Sequence, residues 1–114
     1  MITVTIWRTK TGFIRRFQAL GHAGYAPAGT DIICSAITAI TSTAIGSLQD
    51  IAGISPEAEM EDGLISCRIP DTVFMTKEQL RATSIILESM VLGCRQIEHS
   101  YGRTYVQVRE KAFQ

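Results

Sequence analysis

Residues 21–41, GHAGYAPAGTDIICSAITAIT, contain the features that decide the fold. The segment places His22 at the end of a predicted strand and Cys34 in the first turn of a predicted helix, with a loop between them. No other part of the chain gathers so many chemically distinct side chains. We therefore expect the remaining elements to form a scaffold around this segment.

The loop and the helix of this segment follow from local signals. Gly24, Pro27 and Gly29 favour a loop over residues 23–30, with some freedom to move. Asp31 is a typical N-cap residue, so the helix should begin directly after it. Apolar residues then recur at spacings of three and four, which predicts a core-facing stripe made of Ile33, Ile37, Ile40, Ala44, Leu48 and Ile51.

Strands are predicted on both sides of this helix. Ile2, Val4 and Ile6 alternate with polar or exposed positions, and residues 13–20 resume as a second strand. Residues 57–61 and 64–69 flank the turn signal of Asp62 and Gly63, which predicts a hairpin with Ala58 and Met60 facing inward.

A second helix and a last strand complete the chain. Residues 76–79, TKEQ, match a capping box, and Gly102 should end the helix that follows. Residues 104–109 alternate again as a final strand. The order β-β-α-β-β-α-β predicts a small α+β fold, a single domain over residues 1–114, with two helices on one face of a mainly antiparallel or mixed five-stranded sheet.

Composition limits the classes of function. The chain has 114 residues with a mean hydropathy of +0.14, and its eleven basic residues balance eleven acidic ones. No cluster of lysine and arginine stands out along the sequence, so direct binding of nucleic acid is not expected. The apolar composition is compatible with a homodimer.

Cysteine usage and the absence of targeting signals favour the cytoplasm. We find no signal peptide and no predicted membrane segment. Cys34, Cys67 and Cys94 are odd in number and lack CxxC spacing, which is typical of reduced thiols. No metal-ligand spacing and no glycine-rich nucleotide motif is present, so no metal and no cofactor is predicted.

Cys34 is the candidate nucleophile of the segment. A helix N-terminus favours thiolate, and its free N–H groups, such as those near Cys34 and Ser35, could hold an oxyanion. His22 could serve as the base, and Asp31 could either cap the helix or orient His22. The alternative is that Cys34 is a small packed residue and His22 a structural one, as expected for Cys67 and Cys94.

These residues resemble a known family. Gly21-His22-Ala23, a glycine-containing loop and Asp31-Ile32-Ile33-Cys34-Ser35-Ala36 resemble the signature of the ribosomal-processing cysteine proteases, called Prp. The resemblance extends over nearly the whole chain. Family members commonly have Val, Ala and Ser where this sequence has Ile33, Ser35 and Thr38. These differences put in doubt only small adjustments of the site and not the identity of its reactive residues.

The resemblance implies a function and roles for residues. Members of the family remove a short N-terminal extension, which ends in aromatic residues, from the large-subunit ribosomal protein numbered twenty-seven. By this resemblance Cys34 is the nucleophile and His22 the general base. Gly21, Asp31, Ser35 and Thr38 support them, and the loop with Ala23, Gly24, Pro27 and Gly29 is a mobile gate over the cleft. A homodimer is implied as well.

Two other functions stay open at this point. One is a non-catalytic, dimeric, ribosome-associated binding module in which Cys34 is a core residue. The other is a thiol redox sensor, which lacks an obvious resolving cysteine. The acidic residues of the hairpin form either a solvated face or a surface that receives a basic ribosomal protein. These residues are Glu57, Glu59, Glu61 and Asp62.

Overall fold

The computed structural model of the chain describes residues 1–27 and 29–114. It contains five strands, two long helices and a short 3-10 helix. In chain order these are β1 (Ile2–Arg8), β2 (Ile14–Leu20), α1 (Ile32–Asp50), β3 (Glu57–Glu61), β4 (Leu64–Arg68), the 3-10 helix (Thr72–Phe74), α2 (Lys77–Tyr101) and β5 (Val106–Ala112). The predicted order of elements is confirmed.

The sheet is mixed, which is one of the two predicted arrangements. Its strand order is β3-β4-β2-β1-β5. Strand β1 pairs antiparallel with β2 and parallel with β5, while β4 is antiparallel to both β2 and β3. Because β1 pairs with β5, the first and last strands of the chain lie side by side.

Both helices cover one face of this sheet. Ile2, Val4 and Ile6 of β1 are buried on that face, and the largest fully buried side chains of the core are Phe17, Ile6, Ile33, Leu48, Ile69 and Leu87. The helices contact each other closely, since a Cβ added to Gly93 of α2 would lie 3.3 Å from Ile40 of α1. The opposite face of the sheet has no helix packed on it among the described residues.

The caps of the two helices match their predicted signals. Asp31 caps α1, Thr76 and Gln79 form the complete capping box of α2, and Gly102 is its C-cap. The predicted α1 stripe was wrong at Ile51, which is 73% exposed because the helix ends at Asp50. Thr41 and Ile45 are buried on the core-facing side instead.

Helix α1 is long and apolar enough to cross a membrane by length and composition alone. Ile33, Ile37 and Leu48 are, however, buried in the core that α1 shares with the sheet and α2. Core helices of this length pass the same test, so the helix carries no evidence for a membrane segment.

The prediction that Ala58 and Met60 face inward was wrong, because neither side chain is buried. All five residues of β3 are exposed, and Met60 is 54% exposed. Strand β3 forms the edge of the sheet, beyond the area that the helices cover. The side of β3 that carries Met60 therefore faces an open cleft.

Candidate active site

A cleft lies where the end of β2, the β3–β4 turn and the first turns of α1 meet. Its volume is about 410 Å³, and His22, Cys34 and Thr38 line it together with Glu61 and Asp62. The structure thus brings the predicted histidine and cysteine to one cavity. The acidic residues of the β3–β4 turn were not predicted to lie there.

Cys34 sits in the first turn of α1, as the sequence predicted. Its thiol is half-buried, and the backbone N–H of Ala23 donates a hydrogen bond to Sγ over 3.3 Å. The first residue of the loop therefore contacts the sulfur directly. Cys67 and Cys94 are instead fully buried, and this burial raises the pKa of each thiol to about 12.

The Asp31 carboxylate accepts four backbone hydrogen bonds. Oδ1 accepts from the N–H groups of Ile33 at 3.0 Å and Cys34 at 3.1 Å, and Oδ2 accepts from those of Tyr25 at 2.9 Å and Ala26 at 3.2 Å. Burial opposes the charged form, but the four N–H donors outweigh it and hold the pKa of Asp31 below its ordinary value. Asp31 thus joins the loop to the helix that it caps.

This bonding corrects two expectations about the site. Both Asp31 oxygens are engaged, so the carboxylate does not orient His22. The N–H groups of Cys34 and Ser35 are also engaged, the first with the Asp31 side chain and the second with the Asp31 carbonyl at 3.1 Å. Neither N–H is therefore free to hold an oxyanion in this structure.

Gly21 places His22 at the mouth of the cleft. Its φ is +101°, and a Cβ at this position would clash with the carbonyl oxygen of Met1. Its N–H donates to the Gly63 carbonyl at 2.8 Å, which ties the end of β2 to the β3–β4 turn. A side chain at Gly21 would displace the end of β2 from Met1, which precedes β1.

The His22 ring faces this turn. A Cβ on Gly63, whose φ is +74°, would lie 2.9 Å from Nε2 of His22, so the absence of a side chain there leaves room for the imidazole. Nε2 is 3.8 Å from Oδ1 of Asp62, and the two side chains are 59% and 97% exposed. Among the described residues His22 makes no hydrogen bond to Cys34.

Ser35 and the described residues of the loop do not line this cleft. Tyr25 packs edge-on against Tyr101 and Tyr105, with ring centroids 5.9 and 5.2 Å away, so the loop contacts the end of α2 and the start of β5. Ser35 is exposed, and its hydroxyl donates to the Asp31 carbonyl at 3.2 Å. The predicted mobile gate over residues 23–30 includes Ala28, which lies outside the described residues.

Within the described ranges, no group of three or more His, Cys, Asp or Glu side chains is placed to hold a metal ion. The groups that the described residues bring to the cleft are a thiol, an imidazole, backbone N–H groups and two carboxylates. Such a set can perform nucleophilic acyl transfer.

Sequence comparisons identify relatives of the chain. A model of the family described as cysteine protease Prp matches residues 1–107. The ribosomal processing cysteine protease Prp of Bacillus subtilis (strain 168) is 27% identical over 103 residues, which cover 89% of this chain and 90% of that protein.

Solved structures agree with this assignment. The ribosomal processing protease Prp from S. aureus, in complex with a covalently linked product peptide, has a TM-score of 0.84 at 25% identity and covers 97% of this chain and 100% of its own. SMU.848 from Streptococcus mutans shares the fold, with a TM-score of 0.79 at 19% identity and 99% of each chain covered. With the family model matched over nearly its whole length, the chain belongs to the Prp family of cysteine proteases.

Proposed function

We propose that the protein removes a short N-terminal extension from the large-subunit ribosomal protein numbered twenty-seven. The observation that carries the catalytic part is that His22 and Cys34 line one cleft at the start of α1. The B. subtilis relative is described as a ribosomal processing cysteine protease, and the S. aureus relative holds a covalently linked product peptide. Membership of the same family supports a peptide substrate for this chain.

In the proposed reaction His22 takes the proton of the Cys34 thiol. The sulfur attacks the carbonyl carbon of the scissile peptide bond, and His22 then gives its proton to the leaving amine. Water attacks the resulting thioester, and the thiol is restored as the acid product leaves. His22 is largely exposed and faces Asp62 and Gly63, so the proposed proton transfer requires its side chain to turn toward the thiol.

Ala23 is the proposed donor to the oxyanion. Its N–H donates to Cys34 Sγ over 3.3 Å, so it lies beside the atom to which the tetrahedral carbon becomes bonded, and in the reaction it exchanges this weak bond to sulfur for one to the oxyanion. The N–H groups of Cys34 and Ser35 hold the helix cap instead. A donor fixed at the start of the loop could then hold the developing negative charge.

The walls of the cleft fit a substrate with large apolar side chains before the cut. Ile2, Ala19, Ile37, Met60 and Leu64 contribute to its lining. An aromatic side chain would bury apolar surface there, at about 25 cal/mol per Å². Glu61 and Asp62 at the same cleft place negative charge beside a substrate from a basic ribosomal protein.

We also propose that the protein works as a homodimer in the cytoplasm. Three unpaired cysteines are compatible with a reducing compartment. An apolar groove of about 490 Å³ lies between α1 and α2, where Ile40, Ile86 and the exposed Ile85 contribute to its walls. A second copy packed there would remove this surface from water. Light scattering at micromolar concentration tests the dimer, and a monomeric mass would contradict it.

The decisive experiment is cleavage of the precursor ribosomal protein by wild type, Cys34→Ala and His22→Ala. Intact masses of the products are followed over time, and circular dichroism confirms that each variant is folded. We expect only the wild type to release the N-terminal peptide. If all three bind the precursor and leave it whole, the binding-module alternative replaces the protease; if all three cleave it equally, the assignment of the two residues is wrong.

A further inference from the structure

The face of the sheet that no helix covers carries an unusual concentration of positive charge. In the register of the sheet, Lys111 is opposite Trp7, Trp7 is opposite Arg16, and Arg16 is opposite Arg68. These four residues form one row across β5, β1, β2 and β4. Arg109 lies two residues from Lys111 on the same face of β5.

Three arginines of this face lie against two aromatic rings. The guanidinium carbon of Arg16 lies 4.5 Å from the centroid of the Trp7 ring. Those of Arg15 and Arg68 lie 4.7 and 5.1 Å from the centroid of Phe113. Stacking on the rings limits the freedom of the arginines, so they present their charge from defined positions.

Five cations of the open face differ from other basic residues of the chain in their ion pairing. Arg8, Arg95 and Arg103 form salt bridges with glutamates. Within the part of the chain that the structure describes, no salt bridge involves the cations of the open face, which are Arg15, Arg16, Arg68, Arg109 and Lys111. They account for five of the eleven basic residues, although the net charge of the chain is zero.

The acidic residues of the same face lie at its border. Glu57 and Glu59 belong to the edge strand β3, where Glu57 is opposite Arg68 and Glu59 is opposite Ser66. Among the described residues, the area over β2, β1 and β5 contains no other carboxylate, because Glu110 points to the helix side and contacts Arg8 and Arg95. The positive charge is therefore concentrated on the inner strands and on β5.

We propose that this open sheet face binds RNA through its phosphate backbone. Several unpaired cations on one surface match a chain of phosphates, and the exposed parts of Trp7 and Phe113 lie where unpaired bases could stack. A basic ribosomal protein is repelled by such a surface. The cleft with Cys34 lies on the helix side, so RNA and a peptide substrate can bind at the same time.

This proposal revises the expectation that the chain does not bind nucleic acid. The sequence showed no basic cluster because Arg16, Arg68 and Lys111 are far apart along it, and only the register of the sheet brings them into one row. The proposal concerns a surface distinct from the catalytic cleft and holds whether or not the proposed substrate is correct.

The test uses a 20-nucleotide single-stranded oligouridylate with a fluorescent label, titrated with the protein between 50 and 200 mM KCl. Arg109→Gln with Lys111→Gln removes two cations of the face. Lys77→Gln with Arg81→Gln is the matched control, because both residues are exposed cations on α2 without salt bridges among the described residues. Trp7 is the only tryptophan, so its emission reports binding at the face.

We expect the wild type and the control to bind RNA equally and to lose affinity with salt, with quenching of Trp7. The face variant should bind about tenfold more weakly at 50 mM KCl, and its log-log salt slope should be smaller by about 1.4, or about 0.7 for each lost phosphate contact. Cleavage of a peptide substrate should be unchanged in both variants.

Three results would overturn the proposal. They are no RNA binding at 50 mM KCl, equal weakening in the face variant and the control, or RNA binding without any change in Trp7 emission. A preference for oligoglutamate, or for phosphatidylglycerol vesicles, over the RNA would assign the face to another class of partner. None of these results bears on cleavage, so the protease assignment is judged separately.

Discussion

Cys34 differs from the other two cysteines in its access to solvent. Its thiol lines the cleft, whereas burial raises the pKa of the Cys67 and Cys94 thiols to about 12. At pH 7.5 we expect iodoacetamide to modify only Cys34 in the folded protein, since the buried thiols are neither ionised nor accessible. Peptide mass spectrometry identifies the modified residue.

The Cys34→Ala variant is the control for this labelling. It should take up no label when folded and label at both remaining cysteines in 6 M guanidinium chloride. Labelling of Cys67 or Cys94 in the folded wild type at the rate of Cys34 would contradict the buried positions that the structure gives them.

Asp31 makes the stability of the site depend on pH. Burial opposes its charge, but four N–H donors outweigh burial and lower its pKa in the folded state, so its contribution to stability is present above its unfolded value of about 3.8. That contribution is lost as the pH falls through the lower, folded value. An asparagine at this position would keep one acceptor for the cap but could not accept from Tyr25 and Ala26.

We therefore expect Asp31→Asn to lower the melting temperature at pH 7 and to keep the same deficit down to about pH 5. Below about pH 4 the two melting temperatures should converge, because wild-type Asp31 becomes protonated. Asp50→Asn, at the exposed end of α1, is the matched control and should show no such convergence. A difference in melting temperature that stays constant down to pH 2 would show that the charge of Asp31 does not contribute to stability.

Two threonines in the packed helices differ in their hydrogen bonding. Thr41 of α1 and Thr83 of α2 are both fully buried. The Thr41 hydroxyl donates to the Ile37 carbonyl at 2.7 Å, whereas the Thr83 hydroxyl has no hydrogen-bond partner among the described residues. A buried hydroxyl without a partner lowers stability, and an apolar group of the same shape removes that loss.

Thr83→Val should therefore raise the free energy of unfolding by about 1 kcal/mol, and Thr41→Val should leave it unchanged or lower it by up to about 1 kcal/mol. Urea denaturation followed by circular dichroism measures both. A lower stability of Thr83→Val would mean that its hydroxyl has a partner in solution, such as a bound water.

The elements also show which parts of the structure could be predicted from the sequence. The caps at Asp31 and Thr76, the turn at Gly63 and the alternation of β1 are local signals, and the structure confirms them. The alternation of β3 predicted a buried side that this edge strand does not have. Local signals also located Cys34 at a helix start and His22 at a strand end.

What could not be predicted depends on contacts between distant residues. The hydrogen bond from Gly21 to Gly63 brings the acidic turn to the cleft, and no local pattern specifies it. The engagement of the Cys34 N–H by Asp31, in contrast, is local and follows from the N-cap itself, whose side chain accepts from the second or third residue of the helix. The basic row on the open face needed the strand register, which is why composition gave the opposite expectation.

Opposite charges lie on different surfaces of the molecule. The carboxylates Glu61 and Asp62 border the cleft, and the unpaired cations lie on the open face of the sheet. A basic substrate should therefore be drawn toward the cleft and away from the open face. This separation predicts how the activity depends on salt.

Two pairs of acids at neighbouring positions test this salt dependence. Glu61→Gln with Asp62→Asn removes charge from the cleft, while Glu57→Gln with Glu59→Gln removes the same charge from β3 residues that do not line it. The first pair should raise KM for a basic peptide by about threefold to tenfold at low salt, because two exposed charges contribute roughly 0.2–1 kcal/mol each. A fall in kcat would report the loss of the Asp62 carboxylate, which lies 3.8 Å from Nε2 of His22. The second pair should change KM by less than about twofold. Since salt screens exposed charges, the difference between the pairs should disappear at about 0.5 M KCl, and a difference that persists there would mean that Glu61 or Asp62 contacts the substrate directly.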